Sequence, residues 1–143
     1  MRIIIKESGV EYPEAEAPKI RTPADSSLQC EELENSNTEQ FCVLVVNAKN
    51  MLIVAEIVSS GLLDAALVHP REVFRTAVKS GAAAIILLHN HPSGDVTPSV
   101  ADIRITKQLI AAGNILDVKV LDHVIIGRGH KLTSMREDGL CEF

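Results

Sequence analysis

Apolar runs of strand length, alternating with helix-type segments, constrain the fold of this chain more than any other feature. Three such runs lie at 41–46, 51–58 and 82–91, and polar or turn-forming residues separate them. The first two are joined across residues 47–50, which predicts a hairpin. This order predicts an α/β fold of mixed, α+β-like type, with a central mixed β-sheet flanked by helices in a single domain.

Two helices are expected on either side of the third run. The segment 70–80 starts with a proline, which suits the first turn of a helix, and places Phe74 and Val78 four residues apart. A second helix is predicted from about residues 97–99 to Gly113. The two remaining apolar segments, "VKVLDHVIIG" and "KLTSM", should close the sheet as a hairpin.

The first 40 residues differ in charge from the rest of the chain. They hold nine carboxylates against four basic residues, whereas ten of each follow, so the whole net charge of -5 lies at the N-terminus. Three of the six prolines also lie in these 40 residues. Residues 1–22 are therefore predicted to be an acidic, extended and partly ordered lead-in, with a solvated tail as the simpler and preferred interpretation. The domain itself would cover residues 23–143 and begin with a short helix capped by Thr22, with Pro23 at its first position.

The composition excludes several classes of protein. No stretch approaches the roughly 18 apolar residues of a membrane span, and the apolar run Ile3 to Ile5 is too short for a signal peptide. Three cysteines form neither an even-numbered disulfide framework nor a Cys-x-x-Cys pair. We therefore expect a cytoplasmic protein without a membrane partner.

The third apolar run ends on two histidines, His89 and His91. Residues i and i+2 of a strand project from the same face, so both imidazoles can reach one point. Asp102, in the first turn of the next helix, could supply a carboxylate there, and such a set with a position left to water forms an open catalytic zinc site. Two simpler interpretations stay open: a polar strand end without metal, and a capping box made by Ser99 and Asp102.

A hydrolytic zinc site also needs a proton acceptor, and Glu56 is the candidate. It is the only charged residue between Lys49 and Asp64, and by strand alternation it shares a face with Val54 and Val58. A carboxylate on a covered face could hold and return a proton during catalysis. The alternative is an edge-strand glutamate that faces solvent.

The spacing of these residues resembles a known family. His89, His91, Ser99 and Asp102 follow the pattern His-x-His, seven residues, Ser, two residues, Asp, which is the JAMM motif of JAB/MPN-type zinc metalloproteases. The longer strings "VHPREVF", "AAAIILLHNHPSGDVTPSVADIRITKQLI" and "VLDHVIIG" are similar to the RadC branch of that family. The resemblance covers residues 23–143.

The resemblance implies an MPN fold, related to cytidine deaminases, and a role for each site residue. One zinc ion per chain would be held by His89, His91 and Asp102, with Ser99 stabilising the oxyanion and Glu56 acting as general base. The implied function is a zinc-dependent metallopeptidase or isopeptidase-type hydrolase that cleaves amide bonds in a peptide or protein substrate. An MPN-like scaffold without catalysis is disfavoured by the intact ligand set.

The alternative function is a DNA-repair-associated or nucleic-acid-related RadC-type protein without protease activity. The negative charge, the lack of a basic stripe, and the presence of one Tyr, three Phe and no Trp argue against a nucleic-acid partner. Full-length RadC proteins carry a helix-hairpin-helix region before this domain, for which we expect no room here. The sequence leaves a homodimer open, and it leaves Asp122 and His123 either as support for the site or as a satisfied strand pair.

Overall fold

The structure is a computed structural model, and it describes residues 4–6, 9–11, 17–60 and 68–143. The helices are α1 (Pro23–Leu28), α2 (Pro70–Ser80) and α3 (Val100–Leu116), with a single 3-10 turn at Glu31–Leu33 in the described ranges. The strands are β1 (Ile4–Lys6), β2 (Gly9–Glu11), β3 (Gln40–Val46), β4 (Leu52–Ser60), β5 (Ala84–Asn90), β6 (Lys119–Gly127) and β7 (Lys131–Ser134).

The strands of the described ranges form one seven-stranded mixed sheet in the order β1-β2-β4-β3-β5-β6-β7. The β5–β6 pair is parallel and the other neighbouring pairs are antiparallel. Strands β5 and β6 are connected through α3, because parallel neighbours need a crossover rather than a tight turn. The predicted α/β fold with a mixed sheet and flanking helices is therefore confirmed.

Both faces of the sheet are covered at its centre, which explains the uninterrupted apolar runs. Apolar side chains of α2 and α3 form one core with alternate residues of β3 and β5. Ile20, Cys30 and Leu33 pack with the other residues of the same strands on the opposite face. Strands buried on both faces carry continuous apolar sequence instead of the alternating pattern of a half-exposed sheet.

Helix boundaries agree with the sequence in most respects. Helix α2 spans the predicted segment, although the side chain of Val78 is 54% exposed and does not join Phe74 in the core. Helix α3 continues to Leu116, beyond the predicted end at Gly113. Asp117, which follows Leu116, adopts a left-handed conformation with φ of 56° and terminates the helix.

The N-terminal region differs from the predicted solvated extension. The backbones of β1 and β2 pair with each other, and β2 adds to the edge of β4, so these short segments belong to the sheet. Helix α1 begins as predicted, with a capping box between Thr22 and Asp25 and with Pro23 in its first turn. Residues 1–3, 7–8 and 12–16 of the extension lie outside the described residues, and a domain boundary after residue 22 stays a prediction.

No helix in the described ranges is long and apolar enough to cross a membrane.

Gly113 offers a test of how α3 packs. A Cβ atom at this position would overlap the backbone oxygen of Val118 and lie 3.2 Å from the ring of Phe74. Helix propensity alone predicts that Gly113→Ala stabilises the protein by about 1 kcal/mol. Because of the overlap, we expect the opposite, a loss of about 1–3 kcal/mol in the free energy of unfolding, measured by denaturant titration.

Asn114→Ala, at the exposed neighbouring position of α3, is the matched control and should leave stability nearly unchanged. A Gly113→Ala protein as stable as that control would contradict the close packing of α3 against Val118.

Candidate metal centre

His89 and His91 lie at the end of β5 and face each other. His89 is the second-last residue of the strand, pairs with Phe41 of β3 and Ile125 of β6, and is fully buried. His91 follows the strand, where its backbone N–H donates to the carbonyl of Ile126. The Nε2 atoms of the two rings are 3.0 Å apart. The strand spacing thus brings both imidazoles to one point, as the sequence predicted.

Asp102 lies in the first turn of α3 and points back to these rings. Its Oδ1 atom is 3.2 Å from Nε2 of His89, and its Oδ2 atom is 3.1 Å from Nε2 of His91. The same Oδ2 atom accepts a hydrogen bond from the backbone N–H of Ser99. The carboxylate therefore caps the helix and faces the histidines at once.

Ser99 is the N-cap of α3. Its hydroxyl oxygen accepts a hydrogen bond of 3.0 Å from the backbone N–H of Asp102, which completes the capping box. The structure thus places Ser99 beside the histidine and carboxylate cluster, with its cap function visible. Its role in stabilising an oxyanion stays a prediction.

Glu56, the residue that the sequence suggested as the base, does not join this cluster, and its role as a base stays a prediction. Its carboxylate accepts a hydrogen bond from the hydroxyl of Thr76 in α2. Glu56 lies opposite Val43 of β3, and that strand separates it from β5. Strand alternation correctly predicted the face that Glu56 shares with Val54, but alternation gives no position across the sheet.

Glu39 is the carboxylate that the sequence analysis missed. It directly precedes β3, and its Oε1 atom lies 3.6 Å from Nε2 of His89. Glu39, His89 and His91 each offer a ligand atom, and these atoms lie within 4.8 Å of one another, so the group could hold a metal ion. The signal in the sequence was an acidic residue just before a buried strand, in the part of the chain between the predicted first helix and that strand.

Asn90 holds the segment that carries Glu39. Its side-chain oxygen accepts a hydrogen bond of 2.7 Å from the backbone N–H of Gln40, and its side-chain nitrogen donates one of 3.0 Å to the carbonyl of Thr38. These two contacts fix the backbone on both sides of Glu39. The residue between the two histidines therefore positions the additional carboxylate.

The electrostatics of the cluster favour a shared cation or proton. Burial raises the pKa of Asp102, but hydrogen bonds with His89 and His91 outweigh it, so this pKa lies well below its ordinary value. The hydrogen bond with Asp102 raises the pKa of His91, against the opposing effect of burial. Burial also lowers the pKa of His123, which lies behind His89. Nitrogen and carboxylate donors at this spacing fit a divalent metal ion.

The backbone carbonyl of Asp95 determines which nitrogen of His91 carries a hydrogen and which one can act as a ligand. This carbonyl, which can only accept, lies 2.7 Å from Nδ1 of His91. Nδ1 therefore carries a hydrogen, and in the neutral ring Nε2 has a free lone pair directed at Asp102 and His89. Such an arrangement is typical of a histidine that is prepared to bind a metal.

Comparison with known proteins identifies the family. The family model described as the RadC-like JAB domain matches residues 20–140. This chain belongs to the RadC-like JAB domain family. The resemblance seen in the sequence is thereby confirmed, and the histidine cluster lies inside the matched part of this RadC-like JAB domain.

Individual relatives are proteins named UPF0758. The chain is 49% identical to one from Caldanaerobacter subterraneus over 125 residues, which are 87% of this chain and 53% of the relative. It is 48% identical to one from Desulforudis audaxviator over 124 residues, or 86% of this chain and 54% of the relative. A third, from Symbiobacterium thermophilum, is 56% identical over 102 residues, or 71% and 43%. The chain spans about half the length of the curated relatives it matches.

The contact between His91 and Asp102 can be tested in the metal-free protein. Asp102→Asn keeps an oxygen for the backbone N–H of Ser99 but removes the negative charge beside His91. We expect the pKa of His91, measured by NMR titration of its ring protons, to fall in this variant. In the wild type, the raised pKa stabilises the metal-free fold below about pH 6.5, and this contribution is lost as the pH rises through the folded-state value.

Glu56→Gln removes a carboxylate that lies outside the cluster and serves as the control. It should leave the titration of His91 unchanged. An identical His91 titration curve in the wild type and Asp102→Asn would contradict the contact.

Proposed function

We propose that this chain is a zinc-dependent hydrolase of amide bonds, with a peptide or isopeptide bond in a protein as its substrate. The observation that supports the proposal most is the convergence of two imidazoles and a carboxylate, with a further carboxylate from Glu39 beside them. Catalytic zinc sites use three such ligands and keep a further position open. When bound, zinc would lower the pKa of water and polarise the substrate carbonyl.

The ligands proposed for zinc are His89, His91 and Asp102. The imidazoles would bind through their Nε2 atoms, which already face each other at 3.0 Å. Asp102 would bind through the carboxylate that lies 3.1–3.2 Å from both nitrogens. These three residues are the set that the sequence pattern predicted.

Glu39 is proposed as the general base. Its side chain is 23% exposed, so a substrate and a water molecule can reach it, and it lies next to the proposed ligand His89. During hydrolysis, a bond forms between the water oxygen and the amide carbon, and the carbon–nitrogen bond breaks. Glu39 would take the proton that the water loses and deliver it to the leaving amine.

Ser99 is proposed to stabilise the oxyanion. Its hydroxyl oxygen accepts from the backbone N–H of Asp102, and the single hydroxyl hydrogen can donate to a substrate oxygen above the cluster. Removing one such donor typically lowers turnover by about 10²–10³-fold. The helix cap holds the hydroxyl in place for this purpose.

Metal content tests the ligand set. We expect about one zinc ion per chain in the purified wild type, because three donors converge at this point. His91→Ala and Asp102→Ala should each lose the ion, measured by elemental analysis after gel filtration. Equal zinc content in the wild type and both variants would contradict the proposed ligands.

Glu39→Gln and Glu56→Gln form a matched pair that identifies the base. Glutamine keeps the size of the side chain but cannot accept a proton at neutral pH. We expect Glu39→Gln to bind zinc and to lose nearly all hydrolysis of a peptide and isopeptide panel, and Glu56→Gln to keep both properties. Chelator-treated wild type gives the metal-free rate.

The reverse result, with hydrolysis lost only in Glu56→Gln, would show that the wrong carboxylate has been proposed. If the wild type binds zinc but cleaves every member of the panel no faster than the chelator-treated protein does, the result would argue against the proposed hydrolase activity.

A further inference from the structure

A buried line of hydrogen bonds lies behind His89, on the side away from the other proposed ligands. Nδ1 of His89 is 2.8 Å from Nε2 of His123, and Nδ1 of His123 is 2.5 Å from the hydroxyl oxygen of Thr106. That hydroxyl is also 2.6 Å from the backbone carbonyl oxygen of Asp102. His89, His123 and Thr106 are fully buried, so water does not complete these contacts.

The direction of each hydrogen bond follows from counting hydrogens. The carbonyl oxygen of Asp102 can only accept, so the hydroxyl of Thr106 donates its one hydrogen there. The hydroxyl oxygen must then accept from Nδ1 of His123. In a neutral ring only one nitrogen carries a hydrogen, so Nε2 of His123 accepts from Nδ1 of His89. When His89 is neutral, its Nε2 atom is then left with a free lone pair.

This lone pair points at the cluster. Nε2 of His89 is the atom that lies 3.0 Å from His91 and 3.2 Å from the carboxylate of Asp102. Phe41 supports the arrangement, since its ring stacks on His89 at a centroid distance of 5.9 Å and meets the ring of His123 edge-on at 5.5 Å. Packing therefore restricts the orientation of both imidazole planes, while the hydrogen bonds determine which nitrogen of each ring carries a hydrogen.

We propose that Thr106 and His123 are positioning residues that fix His89 in the form protonated at Nδ1, so that its Nε2 atom is ready to bind a metal. The line of hydrogen bonds starts at the backbone of Asp102 and ends on His89, and so it couples two of the proposed ligands. This inference rests on the metal-binding part of the proposed function. Partners of this kind, behind a ligand, typically change metal affinity by about 10–100-fold.

Thr106→Val and Thr106→Ser separate the hydrogen bond from the packing. Valine keeps the shape of threonine but leaves Nδ1 of His123 without an acceptor. The tautomer of His123 that carries its hydrogen on Nε2 is therefore favoured instead. It would then donate to His89 and move the hydrogen of His89 to Nε2. Serine keeps the hydroxyl, loses only a methyl group, and is the matched control.

Two measurements test the proposal. Long-range ¹H–¹⁵N NMR of the metal-free protein reports which nitrogen of His89 carries the hydrogen, and competition with a chromophoric chelator gives the dissociation constant for Zn²⁺. We expect hydrogen on Nδ1 of His89 in the wild type and Thr106→Ser, with similar affinities. Thr106→Val should shift this hydrogen and bind Zn²⁺ about 10–100-fold more weakly.

A neutral His89 in the metal-free wild type that carries its hydrogen on Nε2 instead of Nδ1 would overturn the proposal, and this measurement needs no variant to fold. Equal Zn²⁺ affinities for folded Thr106→Val, Thr106→Ser and wild type would also overturn it, while leaving the proposed metal site intact. Failure of the wild type itself to bind Zn²⁺ would instead refute the metal-dependent function on which the inference rests.

Discussion

The parallel pairing of β5 with β6 is the constraint on which the site depends. Parallel neighbours cannot be joined by a tight turn, so the chain must leave the end of β5, run back through α3 and return. The first turn of α3 therefore starts near the end of β5, where His89 and His91 lie. Asp102 meets the histidines because it occupies that first turn, as the third residue after the cap.

The same geometry lets Asp102 perform two tasks without conflict. The first N–H groups of a helix lack partners within the helix and favour a negative charge close to them. Asp102 satisfies the backbone N–H of Ser99 with one oxygen while both oxygens face imidazole nitrogens. Its depressed pKa keeps it ionised. This form is favoured at the N-terminus of a helix and is required of a metal ligand.

The sequence predicted those features that short-range patterns determine. Strands β3 to β7, helix α2, the cap of α3 and the meeting of His89 with Asp102 follow from periodicity, from capping residues and from a motif that covers only 14 residues. Glu39 was missed because its place depends on the pairing of Phe41 with His89, residues far apart in the chain. Glu56 was chosen because alternation identifies the face of the sheet on which a side chain lies. Whether that side chain reaches the site also depends on the position of its strand in the sheet and on the register of that strand with its neighbours. The pairing of β2 with the edge of β4 is likewise long-range, and nothing in the acidic N-terminal sequence indicated it.

The three residues His89, Asn90 and His91 organise the site from both sides of β5. Alternation directs the two histidines to one face, and the same alternation turns Asn90 away from them. Asn90 then binds the backbone of Thr38 and Gln40, so Glu39, which lies between these two, is held beside the ring of His89. Fixing a glutamate in a segment outside regular structure costs side-chain and backbone entropy. The two part-buried hydrogen bonds of Asn90 offset part of that cost.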